Sequence, residues 1–212
     1  MNYTELKAFL ASELNRQDLA GSIPTFIALA EADMGRKIRH RKMIARSTNV
    51  LDETADDSGG GYHLSLPDDF AQAKNVQLNV EPAVTLQYVT LEMADLLRGG
   101  NYQVPSQPIY YTIVGDQLEF VPMPDTPYQV ELTYYEKLET LSDAVPTTWL
   151  LEQHPDVYLY GALLHSAPFL KNDERVPVWD GLYQRAVEAV NFESDRSEVS
   201  GATLIARTRT KW

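Results

Sequence analysis

The sequence predicts an α+β fold in which both ends of the chain form a helical bundle and a small antiparallel β domain is inserted between them. Apolar residues recur at helical spacing near the amino end and again between Thr147 and Val190, whereas the residues between these regions alternate between apolar and polar. The order helices, strands, helices favours a single inserted domain. We predict a helical hairpin over residues 1–44, the β domain over 45–140, bundle helices over 141–200 and an extended tail over 201–212.

The first two predicted helices carry start signals as well as apolar stripes. Asn2 suits an N-cap position with Glu5 reaching back to it, and we expect the first helix to stop near Ala20-Gly21. Its stripe consists of Leu6, Phe9, Leu10 and Leu14. Ser22 and Pro24 mark the start of the second helix. Its apolar residues are Phe26, Ile27, Ala30, Met34 and Ile38.

The hydrophobic period changes at about Ala45, where short alternating runs begin. Strands are predicted at Arg46–Leu51, Tyr62–Leu66, Asn75–Val80, Val84–Tyr88, Ile109–Val114, Leu118–Val121 and Tyr128–Tyr135. A short helix is predicted at Leu91–Leu97, and Gly115-Asp116 predicts a tight hairpin turn. The acidic, glycine-rich stretch Asp52–Gly61 is predicted to be a loop, and Leu141-Ser142-Asp143 is expected to return the chain to helices.

The stretch from Thr147 to Val190 predicts two unequal helices that pack on each other. Pro155 suits a first helical position, and the run from Val157 to Leu164 contains no charge, so this helix is expected to be buried on most sides. Pro168 is expected to kink or end it. The second helix has a single apolar stripe, formed by Trp179, Leu182, Tyr183, Ala186 and Val190. Its other side is therefore expected to face water.

The chain is acidic, but its charge is unevenly distributed around a net value of −12. Residues 1–46 hold eight Lys and Arg against five Asp and Glu (+3), residues 47–200 hold seven against twenty-five (−18), and residues 201–212 hold three against none (+3). An acidic body argues against a protein whose main task is to grip nucleic acid, because that affinity comes largely from neutralised phosphates. No targeting segment and no apolar run of the ~20 residues that span a membrane are recognisable.

No motif in the sequence carries recognisable catalytic, metal or cofactor chemistry. The four histidines are widely separated, and the chain has no cysteine, which excludes thiolate ligands and thiol nucleophiles. One alternative stays open, a metal-assisted hydrolase built around the acidic loop. The acids of that loop are Asp52, Glu53, Asp56 and Asp57. Their spacing departs from that of an EF-hand loop, so we expect a solvated loop, no metal, no cofactor and no enzymatic activity.

A series of structural residues in the carboxyl half forms a familiar pattern. The series comprises Tyr134-Tyr135, Leu141-Ser142-Asp143, Thr148-Trp149-Leu150-Leu151, His154-Pro155-Asp156, Tyr158–Ala162 and Asp173-Glu174-Arg175 with Trp179. Upstream, Leu66-Pro67-Asp68-Asp69-Phe70 and Ile109–Pro124 occupy the matching places. Over about two thirds of its length, the chain thus resembles the head-to-tail adaptor (connector) proteins of tailed phages and is similar to tail tubular protein A-like adaptors.

The resemblance implies a non-enzymatic virion protein at the head-tail junction, made in the host cytoplasm and without contact to a membrane. Such adaptors form a ring, usually of twelve copies, that binds the portal protein above and a tail protein below, while DNA passes through the lumen without sequence recognition. An extended carboxyl tail docks on the portal. Carried over to this chain, the docking residues are Leu204, Ile205, Arg207, Arg209, Lys211 and Trp212. The runner-up function is another oligomeric head-completion or tail protein.

A cationic cluster accompanies the end of the second predicted helix, with six cations in the eleven residues from Arg36 to Arg46. Its candidate contact residues are Arg36, Lys37, Arg39, Arg41 and Lys42. In a ring these residues would meet the acidic region of the next copy. Contact with DNA and a plain solvated helix end are the alternatives.

Overall fold

The computed structural model of the chain describes residues 1–51, 63–100, 102–170 and 174–199. The predicted loop at Asp52–Gly61 and the predicted tail at 201–212 lie outside these residues. Within them, six α-helices and two four-stranded sheets confirm the mixed α+β class. The chain divides into two compact units: a helical unit, Met1–Lys42 with Leu138–Trp212, and a β unit, Met43–Lys137.

The described helices and strands have the following bounds. The helices are α1 (Tyr3–Leu14), α2 (Ile23–Lys37), α3 (Leu91–Gly99), α4 (Trp149–Gln153), α5 (Pro155–Ser166) and α6 (Val176–Val199). The strands are β1 (Ile44–Leu51), β2 (His63–Ser65), β3 (Phe70–Leu78), β4 (Val84–Thr85), β5 (Gln87–Tyr88), β6 (Tyr110–Val114), β7 (Gln117–Val121) and β8 (Tyr128–Glu136). Short 3₁₀ helices lie at Gln17–Ser22, Arg41–Met43 and Ala167–Phe169.

The start of α1 is as predicted, but its end is not. The Asn2 side chain accepts a hydrogen bond from the Glu5 N–H (2.8 Å), and the Glu5 carboxylate accepts one from the Asn2 N–H (3.0 Å), which completes a capping box. The helix then ends at Leu14, because Asn15 adopts a left-handed φ of 48°. The predicted stop at Ala20-Gly21 was wrong, since Asn, after Gly, is the residue that best tolerates this conformation.

The helical unit is organised around α5, which contacts α1, α2, α4 and α6. The predicted burial of α5 on most sides is confirmed, and the helix ends at Ser166, two residues before Pro168. The residues buried on α5 are Val157, Tyr158, Gly161, Ala162, Leu163 and Ser166. The stripe of α6 is also confirmed, with Trp179, Tyr183, Ala186 and Val190 buried and Leu182 half-buried.

The helices of the carboxyl half resume later than predicted, at Trp149 instead of near Leu141. Two backbone groups between these positions bond to distant parts of the helical unit. The Pro146 carbonyl accepts a hydrogen bond from the Tyr3 N–H (2.7 Å), and the Leu141 N–H donates to the Glu31 carboxylate (2.7 Å). These groups therefore connect distant segments and do not form a helix of their own.

In the β unit, two sheets with strand orders β1-β8-β3-β4 and β2-β7-β6-β5 contribute apolar side chains to one core. The predicted hairpin is confirmed, with Gly115 at a φ of 61° between β6 and β7. The strand predicted at Val84–Tyr88 is instead two short strands in different sheets, because the chain changes sheets at the buried Leu86. The described pairs are antiparallel except β5–β6, which is parallel because the chain between them crosses through α3.

Candidate functional site

Among the described residues, four of the five candidate cations at the end of α2 have partners within the chain and one has none. Arg36 and Lys37 lie in the last turn of α2, and their side chains pair with Asp33 at 3.2 and 2.6 Å. The Tyr183 hydroxyl also donates to Asp33, at 2.9 Å. Burial alone would raise the pKa of Asp33, but the bonds from Lys37, Tyr183 and Arg36 outweigh it and hold that pKa below its ordinary value.

The chain leaving α2 is held against α6 by two polar side chains. Asn191 accepts a hydrogen bond from the Arg39 N–H (2.9 Å) and donates one to the Lys37 carbonyl (3.0 Å). Ser194 Oγ accepts a bond from the Arg41 N–H (3.0 Å). The bond to the Lys37 carbonyl satisfies one of the carbonyl groups that the end of a helix leaves open. The bonds from the N–H groups of Arg39 and Arg41 hold the backbone of these residues against α6.

Arg39 and Lys42 have partners within the helical unit. The Arg39 guanidinium donates to the carbonyls of Gly35 (2.8 Å) and Ile38 (2.7 Å), where a cation is favoured by the negative end of the helix dipole. Lys42 Nζ donates to Gln153 Oε1 at 2.6 Å. The two side chains are therefore engaged at the ends of α2 and α4.

His40, which lies between Arg39 and Lys42 in the sequence, is buried. Its ring stacks on that of Trp149 at a centroid distance of 4.8 Å. Its Nδ1 accepts a hydrogen bond from the Lys42 N–H (3.2 Å), so the neutral ring carries its proton on Nε2. Nε2 has no hydrogen-bond partner within the described part of the chain. Burial lowers the pKa of His40, while the nearby Glu193 carboxylate opposes the shift.

Arg41 differs from the other candidate cations, because its guanidinium has no ion-pair or hydrogen-bond partner among the residues described. It lines a surface cleft of about 490 Å³ together with Glu193, Arg196 and Ser197 of α6, which we name the Arg41–Arg196 cleft. The Arg196 guanidinium is likewise unpaired in the described ranges. Glu193 Oε2 lies 3.6 Å from His154 Nε2. The cleft therefore presents two unpaired guanidinium groups beside one carboxylate.

Several residues of this region were not identified from the sequence. Arg196 and Glu193, which line the cleft, and Asn191 and Ser194, which bond the chain after α2, were not singled out. Asn191, Ser194 and Ser197 recur every three residues beside the apolar stripe, and this spacing was the available signal. Small polar residues at such a border are suited to bond a neighbouring backbone.

Other predicted residues fall outside the described ranges. They are the tail residues Leu204, Ile205, Arg207, Arg209, Lys211 and Trp212 and the loop acids Asp52, Glu53, Asp56 and Asp57. Within the described ranges, no group of three His, Asp or Glu side chains is arranged to hold a metal ion. In the same ranges, none of the helices combines the length and the apolar character that crossing a membrane requires.

The described chain thus comprises a helical unit built from both chain ends, a β unit formed by the sequence between them, and a surface cleft on the helical unit with two unpaired guanidinium groups. The family model described as SU10 adaptor protein matches residues 1–207, and the chain belongs to this family of phage adaptor proteins. Membership implies a virion component at the head-tail junction, associated with portal and tail. Comparison with curated proteins gave no match.

Proposed function

We propose that this adaptor forms a ring of twelve copies beneath the portal and joins the capsid to a downstream tail protein, with DNA passing through its lumen. The observation that carries the proposal is the match of the adaptor family model to nearly the whole chain, residues 1–207. A model match of this extent includes the helices from both chain ends as well as the β unit. The protein would therefore act as a subunit of the neck, through its surfaces.

The charge of the chain supports passage of DNA without binding. Residues 47–200 hold seven Lys and Arg against twenty-five Asp and Glu. A ring of such subunits surrounds its lumen with a negative potential that repels the phosphate backbone. DNA then slides through the ring without sequence recognition, because no phosphate is neutralised tightly enough to retain it.

The composition of residues 201–212 supports docking on the portal. This segment holds three Lys and Arg and no Asp or Glu, and it ends in Trp212. Twelve residues with Leu204 and Ile205 as the large aliphatic side chains are too few to bury a core of their own. Arg and Trp are the residues that most often dominate the binding energy of interfaces. We therefore assign portal binding to Leu204, Ile205, Arg207, Arg209, Lys211 and Trp212.

The test compares the full chain with a variant that ends at residue 200, each mixed with the portal protein of the same phage. We expect the truncated protein to unfold at the same temperature as the full chain but to bind the portal at least about tenfold more weakly. The double variant R207E/R209E should weaken binding, whereas R185E, a charge reversal on α6, should leave it unchanged. Undiminished binding by the truncated protein would refute the tail assignment.

Electron microscopy of the full chain with its portal tests the ring. Twelve copies directly below the portal are expected. A ring located elsewhere in the tail, or a different head-completion position, would instead support another oligomeric neck or tail protein and would contradict the proposed adaptor position.

A further inference from the structure

The Arg41–Arg196 cleft is an unpaired cationic site on a chain of net charge −12. We propose that it is a carboxylate-binding site that takes an acidic side chain of a second copy of this chain. The inference rests on the proposed function, in which copies of the chain form a ring, and it identifies residues at the contact between those copies. It assigns to one pair of residues, Arg41 and Arg196, a subunit contact that the sequence suggested only for a cluster.

The structure holds both cations on anchored backbone. The Arg41 N–H donates to Ser194 Oγ at 3.0 Å, so the residue is attached to α6 although it lies beyond the end of α2. Arg196 belongs to the last turn of α6 itself. A site whose backbone is already fixed loses less entropy when a ligand binds. The planar guanidinium group also matches a carboxylate with two parallel hydrogen bonds.

The cleft lacks acceptors for the donors around it. Glu193 is its single carboxylate, and Oε2 of that residue is near His154 at 3.6 Å. The guanidinium groups of Arg41 and Arg196 have no acceptor in the described part of the chain. An incoming carboxylate would supply the acceptor oxygens that these two groups lack.

The surroundings of the cleft favour a single carboxylate over a DNA phosphate. Glu193 lines the cleft, and the chain as a whole has a net charge of −12. Phosphates occur in a continuous row, so a strand bound at the cleft would bring further phosphates towards this acidic chain, whereas one side chain would not. Copies of net charge −12 repel one another unless a local cation meets an acid. An acidic side chain of a second copy is therefore the ligand that we expect to bind the cleft.

Zero-length cross-linking tests the contact directly. In the full chain, R196K or R41K places an amine at the cleft, and a carbodiimide then joins that amine to any adjacent carboxylate. Isotope-labelled and unlabelled protein are mixed at high concentration, so that cross-links between copies carry one label. R185K, an exposed position of α6, is the control. We expect mixed-label cross-links through positions 196 and 41 at least about tenfold more often than through 185. Cross-links within one copy only, or equal frequencies, would overturn the proposal.

Charge reversal distinguishes a carboxylate ligand from a phosphate ligand. R196E should raise the dissociation constant of self-association at least about tenfold, whereas R185E should leave it within about twofold. If duplex DNA binds the wild-type chain and this binding is lost in R196E, the cleft would instead be assigned to phosphate and the proposal would be overturned.

The chain that ends at residue 200 separates this inference from the portal assignment, because it should keep the cross-links while losing portal binding. Failure of the portal test with retained cross-links thus rejects the assignment of portal binding to the tail but not the contact at the cleft.

Discussion

The carboxylate of Glu31 on α2 accepts a hydrogen bond of 2.7 Å from the backbone N–H of Leu141, 110 residues further along the chain. Glu31 is 7% exposed, and the nearby Tyr158 hydroxyl favours its charged form. Tyr158 is in turn 3.3 Å from Thr148 Oγ1, which caps α4. Burial raises the pKa of Glu31, and Leu141 and Tyr158 only partly oppose it. The buried carboxylate of Glu31 on α2 therefore interacts with the segment at Leu141 and with Tyr158 on α5.

The first prediction concerns the pH dependence of this carboxylate. Because the folded state holds the pKa of Glu31 above its ordinary value of 4.5, the folded chain binds the proton more tightly than the unfolded chain. The stabilisation from Glu31 is therefore fully present below pH 4.5 and is lost as the pH rises through the raised pKa. E31Q, which keeps an acceptor without the charge, should not show this loss.

Urea unfolding of the wild type and E31Q between pH 4 and pH 8 measures the difference. We expect E31Q to gain stability relative to the wild type as the pH rises. E31A serves as the control, because it leaves the Leu141 N–H without an acceptor and should be about 1–3 kcal/mol less stable than E31Q at each pH. Parallel pH profiles for the wild type and E31Q would contradict the assignment.

The second prediction concerns Asn191, whose side chain bonds both Arg39 and Lys37 at the end of α2. N191A leaves one backbone N–H and one carbonyl without this partner, so the free energy of unfolding should fall by about 1–3 kcal/mol. E188A on the same helix, where the side chain is exposed, should change it by less than about 0.5 kcal/mol. Equal effects in the two variants would show that Asn191 does not hold the segment.

The features that the sequence predicted correctly depend on neighbouring residues. The capping box of Asn2 and Glu5, the turn at Gly115 and the burial of α5 each follow from a spacing of a few positions. The pairing of Asp33 with Arg36 and Lys37 was not predicted, although residues three and four positions apart meet on one helix face. Local spacing was therefore sufficient for the capping box, the turn and the burial of α5.

The features that could not be predicted from the sequence depend on contacts between distant residues. Arg41 is positioned by Ser194, 153 residues away, and Arg39 by Asn191, 152 residues away. No local pattern relates these pairs, so the sequence identified the cations but not which one remains unpaired. The end of α1 was missed for a different reason, because the stop was predicted at Ala20-Gly21, whereas Asn15 adopts the left-handed conformation that ends the helix.

The third prediction concerns the Tyr183 hydroxyl, which donates to Asp33 at 2.9 Å. Y183F removes one of the bonds that depress the pKa of Asp33, so that pKa should rise towards its ordinary value. A depressed carboxylate pKa stabilises the fold above the unfolded pKa, and this stabilisation is lost as the pH falls through the folded pKa. Y183F should therefore cost about 1–2 kcal/mol at pH 7 and less near pH 3.

Thermal unfolding at the two pH values checks this result. Y160F is the matched control, because Tyr160 is half-buried on α5 and makes no hydrogen bond to the rest of the described chain. Its unfolding free energy should change by less than about 0.5 kcal/mol. A loss in Y183F that does not depend on pH would indicate a packing effect instead of the bond to Asp33.

The fourth prediction concerns Gly161, where α5 approaches both α2 and α6. A Cβ at this position would lie 3.1 Å from Met34 Cε, 3.1 Å from Tyr183 Cε2 and 3.2 Å from Ala30 Cβ. Replacing Gly by Ala within a helix gains about 1 kcal/mol in propensity. Overpacking of a filled core costs about 1–3 kcal/mol. Met34 can move its terminal methyl, but Ala30 Cβ is fixed to the backbone and Tyr183 is tied to Asp33, so the cost should prevail.

G161A should therefore lower the free energy of unfolding by about 1 kcal/mol in urea denaturation. G181A is the matched control, because Gly181 is also helical and a Cβ there would meet nothing within 4 Å. It should raise the free energy of unfolding by about 0.5–1 kcal/mol, since propensity alone changes. Opposite signs in the two variants would show that Gly161 is required by the close approach of α5 to its neighbours. A gain in both would mean that the core around Gly161 yields to a methyl group.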